Sequence, residues 1–253
     1  MKILRYDLGR RVTAFSTERD AADVTDPYSG FNACHYTHGN PCEVAVCRDM
    51  AVCQLSGASA LIIPRQTHSL NVAVVDSLSV GGLDEVDALV TSLPRVALAV
   101  NTADCVPVLM ADPAAGVVAA VHSGWRGTAG HIAVKALDVM QRAGASSARV
   151  RVAMGPSICT CCFEVGEEVA EVFRSLRSDA DGDIIYYNNV GGRPHIDLRR
   201  AIERDLTDAG VSSDNIYTGA PCSRCNWQRW WSARRMGIDS GRTLSVIMLD
   251  ITL

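Results

Sequence analysis

The chain has 253 residues, 48% of them apolar and 21% charged, and a formal net charge of −4. That is enough apolar material for a substantial core, and the slightly acidic balance, with basic residues scattered apart from pairs such as Arg199-Arg200 and Arg234-Arg235, offers no track for a nucleic-acid backbone. A membrane is excluded as a partner on the same level, since no apolar run approaches the roughly 18 residues of a span, and MKILRYDLGRR lacks the apolar core of an export signal.

In chain order, residues 41–57 run apolar at helical spacing, open with Pro41 and close at Gly57, which predicts a first helix. Its Cys42, Cys47 and Cys53 read as small hydrophobes. Four short stretches rich in Val, Ile, Leu and Ala follow, at Ala60–Pro64, Asp87–Thr91, Val96–Asn101 and Val117–His122, and read as buried strands. Gly124–Gly127 then breaks the pattern, before Ile132, Val134, Ala136, Leu137 and Met140 supply the apolar face of a helix ending near Gly144. A strand at Arg149–Ala153, helices at about 166–176 and Asp197–Ala209, and a closing strand at Thr243–Leu249 complete the reading. The alternation of strand and helix suggests one α/β-type unit over residues 1–253. With ten cysteines, a long chain and no export signal, the thiols read as reduced and the protein as soluble and cytoplasmic.

Three segments put polar residues where a buried strand ends: Arg65-Gln66-Thr67-His68-Ser69, Asn101-Thr102-Ala103-Asp104-Cys105, and His122-Ser123-Gly124-Trp125-Arg126-Gly127. Loops at strand ends are where α/β proteins place ligand sites, so the three can converge. Singly, a His or Cys beside a strand is more often structural. Together, two imidazoles and one thiolate make a catalytic zinc site with a fourth tetrahedral position open to water. Gly124 to Thr128 opens a helix whose free N–H groups, with Arg126, suit an anion such as phosphate, although Arg126 and Thr128 can equally serve as a cap. Gln66 and Asn101 suit a purine edge or, alternatively, satisfy backbone groups. Trp125 reads as packing.

The stretches RQTHS, NTADCVPVLMADP, VAAVHSGWRGTAG and GPSICTCCFEVGEEV resemble the signature blocks of the YfiH-like family, often labelled the laccase-domain or polyphenol oxidase family. The resemblance runs from about Ser59 to RRMGIDSGR at the C-terminal end. It implies that His68, Cys105 and His122 bind one zinc and take part in catalysis. It also implies a mixed β-sandwich flanked by helices, an α+β fold similar to Cys-His hydrolase toxins. The activities it implies are phosphorolysis of inosine or adenosine, extending to methylthioadenosine, and deamination of adenosine, with nucleoside and phosphate as small-molecule partners. The chain departs from the family pattern at Ser16-Thr17-Glu18-Arg19-Asp20, where a Gly-Gly turn is usual, and at Cys47, Ser123 and Cys159.

Two other chemistries compete. In a metal-free Cys-His hydrolase, His122 would activate Cys105 with Asp104 next to it, and an amidase that edits peptidoglycan precursors is compatible with either chemistry. Copper can occupy the zinc site, but a multicopper oxidase needs a cluster of further imidazoles, and the chain has six histidines in all. Pro221-Cys222-Ser223-Arg224-Cys225 resembles half of a zinc-deaminase signature that lacks its HxE. As a second metal site or a redox pair, Cys222 and Cys225 lack a matching second pair and so read as structural thiols, and Cys161 and Cys162 read as packing at a helix start.

Overall fold

In the computed structural model, which describes residues 1–78, 83–177, 179–188 and 192–250, two sheets stack face to face with helices outside both. The five-stranded sheet has the order β1 (Ile3–Arg5), β2 (Val12–Thr17), β13 (Thr243–Leu249), β6 (Val96–Thr102) and β3 (Ala60–Ile62). The six-stranded sheet runs β12 (Ile216–Tyr217), β9 (Arg151–Met154), β7 (Val106–Asp112), β8 (Val117–Ser123), β5 (Ala88–Thr91) and β4 (Val72–Val74). A small ribbon pairs β10 (Ile185–Tyr187) with β11 (Pro194–Ile196). The helices are α1 (Pro41–Val52), α2 (Trp125–Ala129), α3 (Ile132–Arg142), α4 (Glu167–Leu176), α5 (Leu198–Asp208) and α6 (Ala233–Met236).

Between the sheets, Leu98, Val100 and Ile247 of the first meet Leu89, Leu109 and Val118 of the second. On the outer face of the six-stranded sheet, Val108, Met110 and Val121 pack against Ile132 and Leu137 of α3, Phe173 of α4 and Leu206 of α5. The outer face of the five-stranded sheet buries Phe15, Leu244 and Val246 under Ala51 of α1 and the adjoining Leu55. Each large apolar side chain so buried contributes about 1.5–3 kcal/mol. Because both faces of each sheet are covered, every residue of β6, β7 and β8 is buried. A strand with no wet face has no reason to alternate, and these three read as unbroken apolar runs.

The expected mixed sandwich is the observed one, and the strands expected near Val96, Val117 and Thr243 are present. Several boundaries differ for local reasons. The first helix, capped by the Asn40 side chain on the Cys42 N–H, stops at Val52 rather than Gly57. After it, Gln54 and Leu55 bond to the carbonyls three residues back, a tighter winding that turns Leu55 into the core. Cys42 and Cys53 are exposed, so only Cys47, packed beside the outer core, behaves as the small hydrophobe expected of all three. The stretch at Trp125 is a short helix rather than a break. β7 was not expected at all, because it follows β6 after the tight corner Ala103-Asp104-Cys105, with Asp104 at φ 85°. No described helix is long and apolar enough to cross a membrane.

Candidate metal centre and adjoining cavity

Where β6 crosses between the sheets to become β7, and where β8 ends, the three expected donors meet. The ligand atoms of His68, Cys105 and His122 all lie within 4.8 Å of one another. Cys105 Sγ is 3.7 Å from His68 Nε2, and the two imidazoles stand edge to face with centroids 4.8 Å apart. Cys105 comes from the inter-sheet corner, His122 from the end of β8, and His68 from the loop between β3 and β4.

One buried carboxylate aims both histidines. Asp87, just before β5, accepts from His122 Nδ1 at 2.6 Å. It also accepts the backbone N–H groups of Thr67, His68 and Ser69 at 3.1, 3.1 and 2.8 Å, and the Ser69 hydroxyl at 2.7 Å. These bonds hold His68 at φ 61°, a left-handed conformation that a side chain adopts only when its surroundings impose it. With Nδ1 of His122 engaged, its Nε2 is the nitrogen free for a ligand, the usual carboxylate-histidine arrangement of a metal site. Gly124 closes the arrangement: a Cβ there would lie 2.8 Å from His68 Cδ2 and 3.0 Å from Cys105 Sγ. Two imidazoles and a thiolate, one of them oriented by a buried carboxylate, fit a borderline-soft divalent ion.

Electrostatically Cys105, His122 and Asp87 favour one another's charged forms. Burial pushes the Cys105 thiol up, but His122 and then His68 outweigh it and bring it down to about 6. Burial pulls His122 down, and the Cys105 thiolate and Asp87 reverse that and raise it to about 9. Asp87, raised by burial, is brought down to about 2 by His122, Ser69 and the Thr67 N–H.

The donors open onto a cavity of about 510 Å³. Asn101 lines it, is 2% exposed, and neither Nδ2 nor Oδ1 of its amide has a hydrogen-bond partner among the described residues. Buried polar atoms are rarely left so. Gln66 also lines the cavity, but its amide is committed: Nε2 donates to the Asn101 carbonyl at 2.7 Å, and Oε1 accepts the Asn101 N–H at 2.7 Å and the Tyr36 hydroxyl at 3.1 Å. Trp125 and Phe163 supply aromatic walls.

Arg126 is not brought into the cavity. It is exposed and stacks over Trp125 with the guanidinium 4.3 Å from the ring, and α2 has only five residues, too short for the anion-binding helix start expected of it. Arg234 and Arg242 line the cavity instead. Arg234 donates to the Glu164 carbonyl and stacks over Phe163, and among the described residues neither arginine forms an ion pair with a carboxylate. Asp104 faces away from the thiolate, accepting from the Ser223 hydroxyl at 2.6 Å and the Arg234 N–H at 2.7 Å. The acid behind His122 is therefore Asp87. Sequence reading passed over Asp87 because an acid before an apolar run looks like a strand boundary.

The family model described as "Multi-copper polyphenol oxidoreductase laccase" matches residues 13–250. The chain is 45% identical over 245 residues to "Adenosine deaminase RL5" of an unknown prokaryotic organism, covering 93% of both. It is 36% identical over 251 residues to "Purine nucleoside phosphorylase" of Bacteroides thetaiotaomicron, covering 94% of this chain and 92% of that one. Its fold is similar to the crystal structure of YlmD from Geobacillus stearothermophilus, at a TM-score of 0.91 and 27% identity, covering 99% of this chain and 97% of the other. It is equally similar in extent to a Neisseria meningitidis protein of family DUF152, at a TM-score of 0.88 and 30% identity, covering 99% and 100%.

Proposed function

The chain belongs to the family described as multi-copper polyphenol oxidoreductase laccase, and from that membership and its site we propose that it is a zinc-dependent purine-nucleoside enzyme. On this reading it phosphorolyses inosine, adenosine or methylthioadenosine and deaminates adenosine, with His68, Cys105 and His122 as metal ligands and catalytic groups. The observation that carries the reading is the unpartnered Asn101 amide in the cavity that opens onto the three donors. An amide can pair with N7 and the 6-amino group of adenine at once, and its NH2 can donate to N7 or O6 of hypoxanthine. The names of the relatives, adenosine deaminase and purine nucleoside phosphorylase, support the same chemistry.

A zinc ion held by the three donors would supply a Lewis acid and make water nucleophilic near neutral pH. The residues of the chain do the rest. Gln66 fixes the backbone of Asn101, while Trp125 and Phe163 offer faces on which the base can stack. The cations Arg234 and Arg242, with Arg126 stacked on Trp125 outside the cavity, draw phosphate towards the ribose. In phosphorolysis a phosphate oxygen bonds to C1′ as the C1′–N9 bond breaks, and the purine leaves with the electron pair and takes a proton. In deamination, water adds at C6 and ammonia departs. The family's label does not fit as a multi-copper description. Four of the six histidines are engaged elsewhere, His35 by Arg48, His38 by Asp239, His131 by Asp205 and His195 by Thr160 and Asn188, which leaves two imidazoles at the site. Copper can still take the place of zinc there, copper ranking above zinc in intrinsic affinity. The ten free thiols suit a reducing compartment, and we place the enzyme in the cytoplasm.

The alignment Cys105, His122, Asp87 favours a second reading, a metal-free thiol hydrolase acting on an amide, such as an amidase that edits peptidoglycan precursors. Chelation separates the two. Adenosine turnover that disappears on removal of zinc and returns on its readdition supports the zinc enzyme. Amide hydrolysis that survives chelation and stops on alkylation of Cys105 overturns it.

A further inference from the structure

Two CxxC segments face each other beside the cavity. One is Cys222–Cys225, and the other is Cys159–Cys162, which is masked in the sequence by the adjacent Cys161. All four Sγ atoms lie within 4.8 Å of one another, with Cys162 and Cys225 at 3.4 Å, and all four thiols are free. In a tetrahedral zinc site with Zn–S bonds of about 2.3 Å the sulfurs stand about 3.8 Å apart, so the cluster already has the span of such a site. The N–H groups of Cys159 and Cys225 both point at Cys222 Sγ, at 3.3 and 3.5 Å, which favours a thiolate there. Positive charge is at hand. Arg199 donates to the Ser157, Ala220 and Pro221 carbonyls of the two loops, and the Arg224 guanidinium is within reach of Cys162.

We propose that Cys159, Cys162, Cys222 and Cys225 hold a structural zinc ion in a four-thiolate site separate from His68, Cys105 and His122. Binding displaces thiol protons and needs no oxidant, whereas a disulfide would use two of the sulfurs and leave the other two converging on it. A site closed by four protein ligands has no open position for substrate, so its work is to fasten. It fastens the loop after β9, which carries Ile158 and Phe163 to the cavity, to the segment before α6, which carries Arg234. Among the described residues the backbone joins these strands of chain beside it through the Ser157–Cys222 bridge, to which the bond from the Ser223 N–H to the Ser157 carbonyl at 3.0 Å belongs. The same segment reaches Asp104, next to Cys105, through Ser223.

The test uses the His68→Ala/Cys105→Ala/His122→Ala variant of the full chain, purified from zinc-supplemented cells. Elemental analysis should find about one zinc per chain, with an X-ray absorption shell of sulfur alone at about 2.3 Å. Adding Cys162→Ser and Cys225→Ser should remove it. Should that variant fail to fold, alkylation of the unaltered protein followed by mass spectrometry gives the same answer, with the four cysteines protected until a mercurial displaces the metal. A zinc-free triple variant, a shell containing nitrogen, or a Cys162–Cys225 cross-link in metal-free protein overturns the site. Because the triple variant has lost the other donor set, zinc found there is independent of the proposed activity.

Discussion

Asp87 shows how one side chain can govern a site without touching substrate. Its carboxylate accepts bonds from both segments that carry the histidines, so removing it frees two donors at once. Asp87→Asn should weaken zinc binding about 10- to 100-fold, the usual cost of losing a partner behind a ligand. A chelator competition on the purified variant measures this, and unchanged affinity would show that the histidines are held by packing. Asn101 and Gln66, both expected to touch a purine, should part company. Asn101→Ala should lower kcat/KM for adenosine about 10- to 100-fold with little change in Tm, and the penalty for a 7-deaza analogue should shrink in the same variant. Gln66→Ala leaves the Asn101 N–H without its acceptor and should lower Tm as well as activity. If the two variants behaved alike, the free amide would have no special part in recognition. The sequence displayed the three donors because each ends an apolar run. It hid Asp87, whose importance lies in partners up to 35 residues away.

At the scale of elements, the sequence was most legible where burial is complete. β6, β8 and β13 appeared as apolar runs because both faces of each sheet are covered. β1 and β4, of three residues each, are too short to announce themselves, and β2 breaks its apolar residues with Thr13, Ser16 and Thr17. The CTCC segment misled for another reason, since reading Cys161 with Cys162 conceals the pair Cys159 and Cys162. At the start of α2, strand, glycine and arginine suggested an anion site, and the helix that follows has only five residues. Gly124, just before α2, is required by close approach. Gly124→Ala should displace His68 and Cys105 and lower zinc occupancy while β8 and the core remain, as metal analysis beside a melting curve would show. At the far end of β7, buried Asp112 accepts the N–H groups of Ala114, Ala115 and Ser146 and pairs with Arg149 at 2.8 Å. Burial pushes its carboxyl up, but the Ser146 N–H, Arg149 and Ala115 hold it below the usual range. A depressed folded-state value means stability present above the unfolded value near 4 and lost as pH falls through the folded one. Asp112→Asn should therefore cost about 1–3 kcal/mol at pH 7, and less as the pH drops below about 4. A pH-independent difference in denaturant melts would mean the charge is irrelevant.

For the whole molecule, the two sheets act as a frame whose end gathers donors distant in sequence. The corner between β6 and β7 delivers Cys105, the end of β8 delivers His122, and the loop anchored by Asp87 delivers His68. The C-terminal segment then closes the cavity with Arg234 and Arg242. Zinc at the three donors and zinc at the four thiols would have different fates, the first lost with His122→Ala and the second retained. Both nucleoside reactions should fall together in that variant, because both would use the one cavity beside the one set of three donors. The most direct test is chromatography of products from zinc-loaded wild-type protein incubated with adenosine and inosine, with and without phosphate and without added copper. The account predicts free base and ribose 1-phosphate in phosphate, and inosine from adenosine with or without it. No change in either nucleoside under any of these conditions would contradict it.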